Sequence, residues 1–326
     1  MKAVLIDGFG GPEVLRVGDA PDPRPNADQV LIRVAATSVN RPDTLQRQGH
    51  YPPPPGESEI LGLEAAGTIE KIGANVRGLE PGQRVAALLG GGGYAELAVA
   101  HARHVLQIPD SMSFDAAACV CETYITAYMN VFIGAGLEDG ETLLVHGGGG
   151  GVGTAAIQLC KSLAQESRVA ATASAGKVER VAELGADLVV DYAREDFAEA
   201  VLRLTDGRGA DVILDHIGGA YLERNMKALA VAGRLALIGI MGGRKAELDL
   251  GRLLVKRQQI IGSLLRPRPT EEKADIIAEF NRAVMPLFAR GHIAPIIHRV
   301  YPLEEAAAAH RAMEESSHFG KIVLRI

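Results

Sequence analysis

The sequence predicts an α/β protein in which a parallel, doubly wound sheet with helices on both faces is inserted into a mostly-β module. Three observations carry this. Across residues 143–263, short apolar strands alternate with helical patterns. At the head of that series stands a glycine turn, Leu143-Leu144-Val145-His146-Gly147-Gly148-Gly149-Gly150-Gly151-Val152-Gly153. On either side of it the chain returns to short strands, punctuated in the first part by Gly and Pro. A length of 326 residues suits one large or two medium domains. The expected division is 1–121 with 264–326 for the mostly-β part, and 122–263 for the sheet.

In the first part, residues 3–6, 30–34, 65–69 and 84–88 alternate or run apolar between turn clusters, as strands do. Pro52-Pro53-Pro54-Pro55-Gly56 forces a stiff, extended loop. The second glycine run, Gly90 to Gly93, reads as a hairpin or a close-approach loop, since no helix follows it to make a phosphate site. Helical periodicity begins near Phe114. After the turn, Val152, Ala156, Leu159 and Leu163 keep one helical face apolar. Strands at 168–172, 188–191, 212–215, 235–238 and 260–263 then interleave with helices at 177–184, 197–204 and 221–229. A long amphipathic helix at 270–288 follows. The tail, with strands at 296–300 and 321–326 around an Ala-rich helix, is expected to complete the N-terminal module.

Gly148, Gly150 and Gly153 fit G-x-G-x-x-G, the dinucleotide fingerprint. One glycine permits the tight strand-to-helix turn, one lets the backbone approach a pyrophosphate, and one lets the helix pack on its strand. The helix N-terminus presents unpaired N–H groups and a positive dipole end to the phosphates. The cofactor-binding positions are therefore Gly148, Gly150, Gly151, Val152 and Gly153, with Gly239 after a later strand of the sheet. An NAD site places Asp or Glu at the end of the second strand, on the ribose 2′-OH. Here that stretch, Arg168 to Lys177, holds no acid. Ser174 and Lys177 offer a hydroxyl and an ammonium to a 2′-phosphate instead, so the expected cofactor is NADPH; alone, Lys177 would read as a solvated first-turn lysine. Tyr192, after the third strand, either packs beside the adenosine or is a surface aromatic.

Composition narrows the field. The chain is 47% hydrophobic and 23% charged, an ordinary soluble balance. Net charge is −6 without a dense Lys/Arg block, against a nucleic-acid partner. Aromatics make up 4% with no Trp, which leaves little for base stacking. The start, Met1-Lys2-Ala3-Val4-Leu5-Ile6-Asp7, is too short and too soon charged for a signal peptide, and no apolar run reaches membrane-spanning length. Cys119, Cys121 and Cys160 form no framework, and the first two lack zinc-site spacing, so they read as core residues of a protein in a reducing compartment, the cytoplasm.

Several motifs together resemble one family. They are Ser38-Val39-Asn40-Arg41-Pro42-Asp43, Leu61-Gly62-Leu63-Glu64-Ala65-Ala66-Gly67, Gly92-Gly93-Tyr94-Ala95-Glu96, the glycine turn with Gly153-Thr154-Ala155-Ala156-Ile157-Gln158-Leu159, and Gly320-Lys321-Ile322-Val323. The chain resembles, over essentially its whole length, the zinc-free quinone oxidoreductases, the zeta-crystallin-like branch of the medium-chain dehydrogenase/reductase superfamily. The resemblance implies a GroES-like N-terminal module, a Rossmann sheet, and an active site between the two. Zinc members carry a catalytic Cys where this chain has Asn40 and a His where it has Leu63, and neither replacement is a zinc ligand. The four-cysteine structural lobe is missing as well. A metal-free enzyme needs an acceptor that is already electrophilic, such as a quinone or an activated enone.

The resemblance carries over few residues. Asn40 and Tyr51 match positions near the nicotinamide and the acceptor, where a tyrosine hydroxyl donates to a developing oxyanion or supplies a proton; alternatively, Tyr51 packs the polyproline loop. Thr126, in Tyr124-Ile125-Thr126-Ala127, matches a motif near the carboxamide end of the cofactor, or is a helix-packing residue. Lys321 reads either as approaching the 2′-phosphate or as a surface lysine. Several relatives have Ser where this chain has Gly151, so that hydroxyl is absent here. The expected function is an NADPH-dependent quinone oxidoreductase; the alternatives are an enone or enoyl reductase and a non-catalytic NADPH-binding protein, structural or RNA-associated. The expected partners are a small-molecule quinone or enone and a second copy of the chain. In that homodimer, the strand at 260–263 pairs across a two-fold axis.

Overall fold

The computed structural model describes all residues, Met1–Ile326. They form two compact units, one of Met1–Ile125 with Leu265–Ile326 and one of Thr126–Leu264.

The first unit begins with β1 (Lys2–Ile6) paired antiparallel to β2 (Leu15–Asp19). Then come β3 (Gln29–Val39), α1 (Arg41–Arg47), β4 (Glu64–Ile72), β5 (Arg84–Leu88), β6 (Leu97–His101), β7 (Val105–Gln107), α2 (Phe114–Ala117) and the start of α3 (Thr123–Tyr128), whose last three residues belong to the second unit. The expected strands at 3–6, 30–34, 65–69 and 84–88 all lie inside observed ones. The run Gly90 to Gly93 is a close-approach loop: a Cβ on Gly91 would lie 2.3 Å from the Ser58 carbonyl, and one on Gly93 2.7 Å from that of Glu64.

The second unit holds β8 (Thr142–Val145), α4 (Gly151–Leu163), β9 (Arg168–Ala173), α5 (Val178–Ala182), β10 (Leu188–Asp191), α6 (Phe197–Leu204), β11 (Ala210–Asp215), α7 (Leu222–Ala228), β12 (Leu229–Leu237), α8 (Leu250–Lys256) and β13 (Gln259–Gly262). Its six strands lie in the order β10-β9-β8-β11-β12-β13, all parallel. Counting from β8 this is 3-2-1-4-5-6, the doubly wound order, with the switch point between β8 and β11. The central strands are apolar because both faces are covered: Leu144, Ala170, Ile213 and Leu235 pack on one face with Phe197 and Val201 of α6 and Met226 of α7, and Leu143, Val145, Val212 and Leu214 are buried on the other. Sequence periodicity missed α8, whose Leu250, Leu254 and Val255 are two-thirds or more exposed. Only its ends mark it: the Asp249 side chain accepts from Arg252 N, and Arg257 closes it in the left-handed conformation.

The chain returns to the first unit with α9 (Thr270–Ala289), β14 (Ile297–Pro302), α10 (Ala306–Glu314) and β15 (Lys321–Arg325). The larger sheet has the order β14-β15-β3-β4-β5-β7, with β6 also on β3. The tail thus completes the N-terminal module, as its return to short strands predicted. Strand register brings four polar residues of this sheet together. Ile322 pairs with Val39, and Ala65 with Thr37, so Lys321, Glu64, Ser38 and Asn40 converge where β15, β3 and β4 meet.

Candidate functional site

In the second unit the predicted cofactor residues gather at the C-terminal edge of the parallel sheet. Gly147 to Gly150 leave β8, and Gly151, Val152 and Gly153 open α4. Ser174 and Lys177 follow β9, with Lys177 closing a single 3-10 turn; Tyr192, about half exposed, follows β10, and its N–H donates to the Ala173 carbonyl at 3.3 Å. Gly239 follows β12, where a Cβ would lie 2.9 Å from the His216 carbonyl.

The glycines of the fingerprint differ in what requires them. A Cβ on Gly153 would lie 2.3 Å from the Gly147 carbonyl, and one on Gly148 would lie 2.9 Å from Val181. These two are demanded by the packing of the turn itself. Gly150 is not: its φ is −85°, and a Cβ there would meet only the Gly147 carbonyl at 3.4 Å. Gly150 is also the N-cap of α4 and brings no side chain to the first helical N–H groups. An open cradle at a helix N-terminus, at the switch point of a doubly wound sheet, fits a dinucleotide pyrophosphate.

Under the turn runs a buried polar chain that no sequence spacing marked. His146 is 1% exposed and lies between Thr172 and Asn225. The Asn225 amide donates to Asp215 at 3.0 Å, so its oxygen accepts from His146 Nε2 at 2.7 Å. His146 Nδ1 then accepts from the Thr172 hydroxyl at 3.1 Å, and that oxygen accepts from Gly147 N at 3.2 Å. Burial pushes the His146 imidazole down to about 3, so it stays neutral in this chain. Asp215 accepts from the N–H groups of Ile217 and Gly218, and its carboxyl is pushed up to about 6 by burial. Together these bonds tie the loops after β8 and β11 to each other.

In the first unit, Asn40, Glu64 and Lys321 form a buried cluster. The Lys321 ammonium lies 3.0 Å from Glu64 Oε1 and 2.5 Å from Asn40 Oδ1, and is 3% exposed. Both expectations for Lys321 are corrected here: it is neither a surface lysine nor a free cation for a 2′-phosphate, because a buried carboxylate holds it. The Asn40 amide is committed in the same cluster. It donates to Glu64 at 3.0 Å and to the Ser38 carbonyl at 3.4 Å, which leaves it no proton for an acceptor oxygen. Four donors meet the Glu64 carboxylate: Ser38 Oγ, Asn40 Nδ2, Lys321 Nζ and the backbone N–H of Glu122.

Beside this cluster sit Tyr51, Arg266 and Glu122. The Arg266 guanidinium lies 5.3 Å from the centre of the Tyr51 ring and donates to Gly90 O, Gln46 Oε1 and Tyr51 O. It therefore fixes the loop that carries Tyr51. The Tyr51 hydroxyl, pushed up by burial and by the Glu122 charge, keeps its proton. Asp43 accepts from Asn40 N, Gly62 N and the Tyr94 hydroxyl, and burial raises it to about 6. Thr126 lies half-buried on α3, and its carbonyl accepts from the Asn130 amide. Leu63 is buried in the core. The three cysteines are free and buried, each thiol raised by burial, as core residues are. No three His, Cys, Asp or Glu side chains are grouped so as to hold a metal ion.

Two family models match the chain: the alcohol dehydrogenase GroES-like domain over residues 26–110 and the zinc-binding dehydrogenase over 184–324. A quinone oxidoreductase of Lama guanicoe is 33% identical over 328 residues, covering 99% of this chain and 97% of that protein. A synaptic vesicle membrane protein VAT-1 homolog of Danio rerio is 31% identical over 340 residues, covering 99% of this chain and 69% of that one. Among solved structures, Escherichia coli quinone oxidoreductase complexed with NADPH superposes with a TM-score of 0.89 at 28% identity, covering both chains completely.

Proposed function

Since this chain belongs to the zinc-free quinone oxidoreductase branch of the medium-chain dehydrogenase/reductase superfamily, we propose that it reduces quinones with NADPH, without a metal. The observation that carries this reading is the sheet edge of the second unit: an open glycine cradle at α4, with Ser174 and Lys177 standing where an NAD site has its acid. The N-terminus of α4 would hold the pyrophosphate, and Ser174 and Lys177 the 2′-phosphate. Bound NADPH supplies a hydride. The protein then has to position the acceptor and stabilise the negative charge that forms on its oxygen. Tyr51, held by Arg266 with its hydroxyl protonated, is the donor for that oxygen. Asn40, its amide already committed, supports the site through Glu64 and Lys321.

Asn40 and Leu63 stand where zinc members have ligands, so no Lewis acid activates the acceptor, and a quinone is electrophilic enough without one. The assembly we propose is a homodimer joined at β13, the edge strand of its sheet, beside the exposed Leu250, Leu254 and Val255 of α8. The test of function is turnover of NADPH against a panel of quinones and enones in the presence of a chelator. Quinones are expected to be the better acceptors. Turnover of enones alone would make it an enone reductase, and turnover of neither would leave a binding protein. The fold itself contains no helix long and apolar enough to cross a membrane.

A further inference from the structure

In the polar cluster of the first unit almost every group is satisfied. Glu64 accepts from four donors, Lys321 and Asn40 are tied to Glu64, Asp43 accepts from three donors, and Arg266 is bonded to three oxygens. Two groups have no partner within the protein: the Tyr51 hydroxyl and the Glu122 carboxyl. Both residues are half-buried, and they lie close enough that the Glu122 charge acts on the Tyr51 hydroxyl. The backbone of Glu122 is pinned, since its N–H donates to Glu64 Oε2 at 2.9 Å. A carboxyl carried on a pinned backbone and a phenol on a loop held by Arg266, each with open hydrogen-bonding capacity in a cluster otherwise closed, are where an incoming oxygen would bind.

We propose that Glu122 is the catalytic acid of the reduction, delivering the proton while Tyr51 holds the acceptor oxygen by a hydrogen bond. This rests on the reductase reading. The hydride brings two electrons and one hydrogen to the acceptor; the Glu122 O–H bond breaks, a new O–H bond forms on the acceptor, and the electron pair stays on the Glu122 carboxylate. Solvent water then reprotonates Glu122.

The surroundings supply the required protonation state. Burial is the largest influence on Glu122, followed by the nearby Glu64 and, more weakly, Asp43; Lys321 and Arg266 oppose them, and the carboxyl is pushed up to about 8. At neutral pH Glu122 therefore carries a proton, whereas Tyr51, raised above its ordinary value, cannot give its own up readily.

The test uses the whole protein with NADPH and an unsubstituted naphthoquinone. Wild-type turnover should fall as pH rises through about 8. Glu122→Gln keeps the shape but has no acid proton. It should bind NADPH normally, turn over about a hundredfold more slowly at neutral pH and lose that alkaline fall. Glu122→Asp should restore part of the rate and the fall. Tyr51→Phe should slow turnover about tenfold to a hundredfold but keep the alkaline fall, as loss of one hydrogen-bond donor does. Wild-type rate and pH profile in Glu122→Gln would overturn the proposal. So would a solvent deuterium isotope effect near unity on the wild-type single turnover, which needs no variant. If the wild type oxidises NADPH with none of the quinones or enones, the reductase reading fails and takes this proposal with it; if it turns over and Glu122→Gln matches it, only Glu122 is dismissed.

Discussion

Lys321 and Glu64 form an ion pair at 3.0 Å in which neither side chain is more than 3% exposed. They lie 257 residues apart in the chain, and the pairing of β15 with β3 and of β3 with β4 is what joins them. Removing one member leaves the other charged and buried. Lys321→Met should therefore cost about 3–5 kcal/mol of stability, seen as a lower denaturant midpoint, with NADPH affinity nearly unchanged. An unaltered midpoint with a large loss of NADPH affinity would return Lys321 to the 2′-phosphate.

The two kinds of glycine in the turn should separate in experiment. Gly150→Ala makes only an ordinary contact with the Gly147 carbonyl at 3.4 Å, so stability should stay within about 0.5 kcal/mol while NADPH binding is lost. Gly153→Ala drives a methyl to 2.3 Å from the Gly147 carbonyl. It should cost about 1–3 kcal/mol or more as well as binding. Full NADPH affinity in Gly150→Ala, measured by titration of cofactor fluorescence, would rule out close approach at that position.

Lys177 is the cation best placed to distinguish the two cofactors, next to Ser174 after β9. Lys177→Ala should lose about 1–3 kcal/mol of NADPH binding, the worth of a charged hydrogen bond, and little for NADH. Equal affinity of the wild type for both cofactors would count against the NADPH assignment.

The exposed apolar residues of α8 give the dimer proposal a handle. Leu254 is 76% exposed, so Leu254→Glu should leave a monomer's stability intact while weakening a dimer. Sedimentation at micromolar concentration should report a dimer for the wild type and a shift toward monomer for the variant. A monomeric wild type would end the proposal.

What the sequence determined by itself is what depends on neighbours along the chain. The strand-turn-helix of Gly147 to Gly153, the alternation that gives β8 to β13, and the missing acid after β9 are all local patterns, since a helix or strand is specified by residues a few positions apart. The motifs around Asn40, Leu63 and Lys321 were legible in the same way, as types of residue at a place. Their roles were not. Lys321 and Asn40 were read as reaching outward, and only the register of three strands shows each of them spent on Glu64. His146, Thr172, Asn225 and Asp215 share no spacing, and Glu122 sits in no motif of its own. Tertiary structure decided those, because hydrogen bonds and desolvation act through space: whether a buried carboxyl is a structural anion or an acid depends on which distant donors reach it. Glu64 is reached by four, and the carboxyl of Glu122 by none.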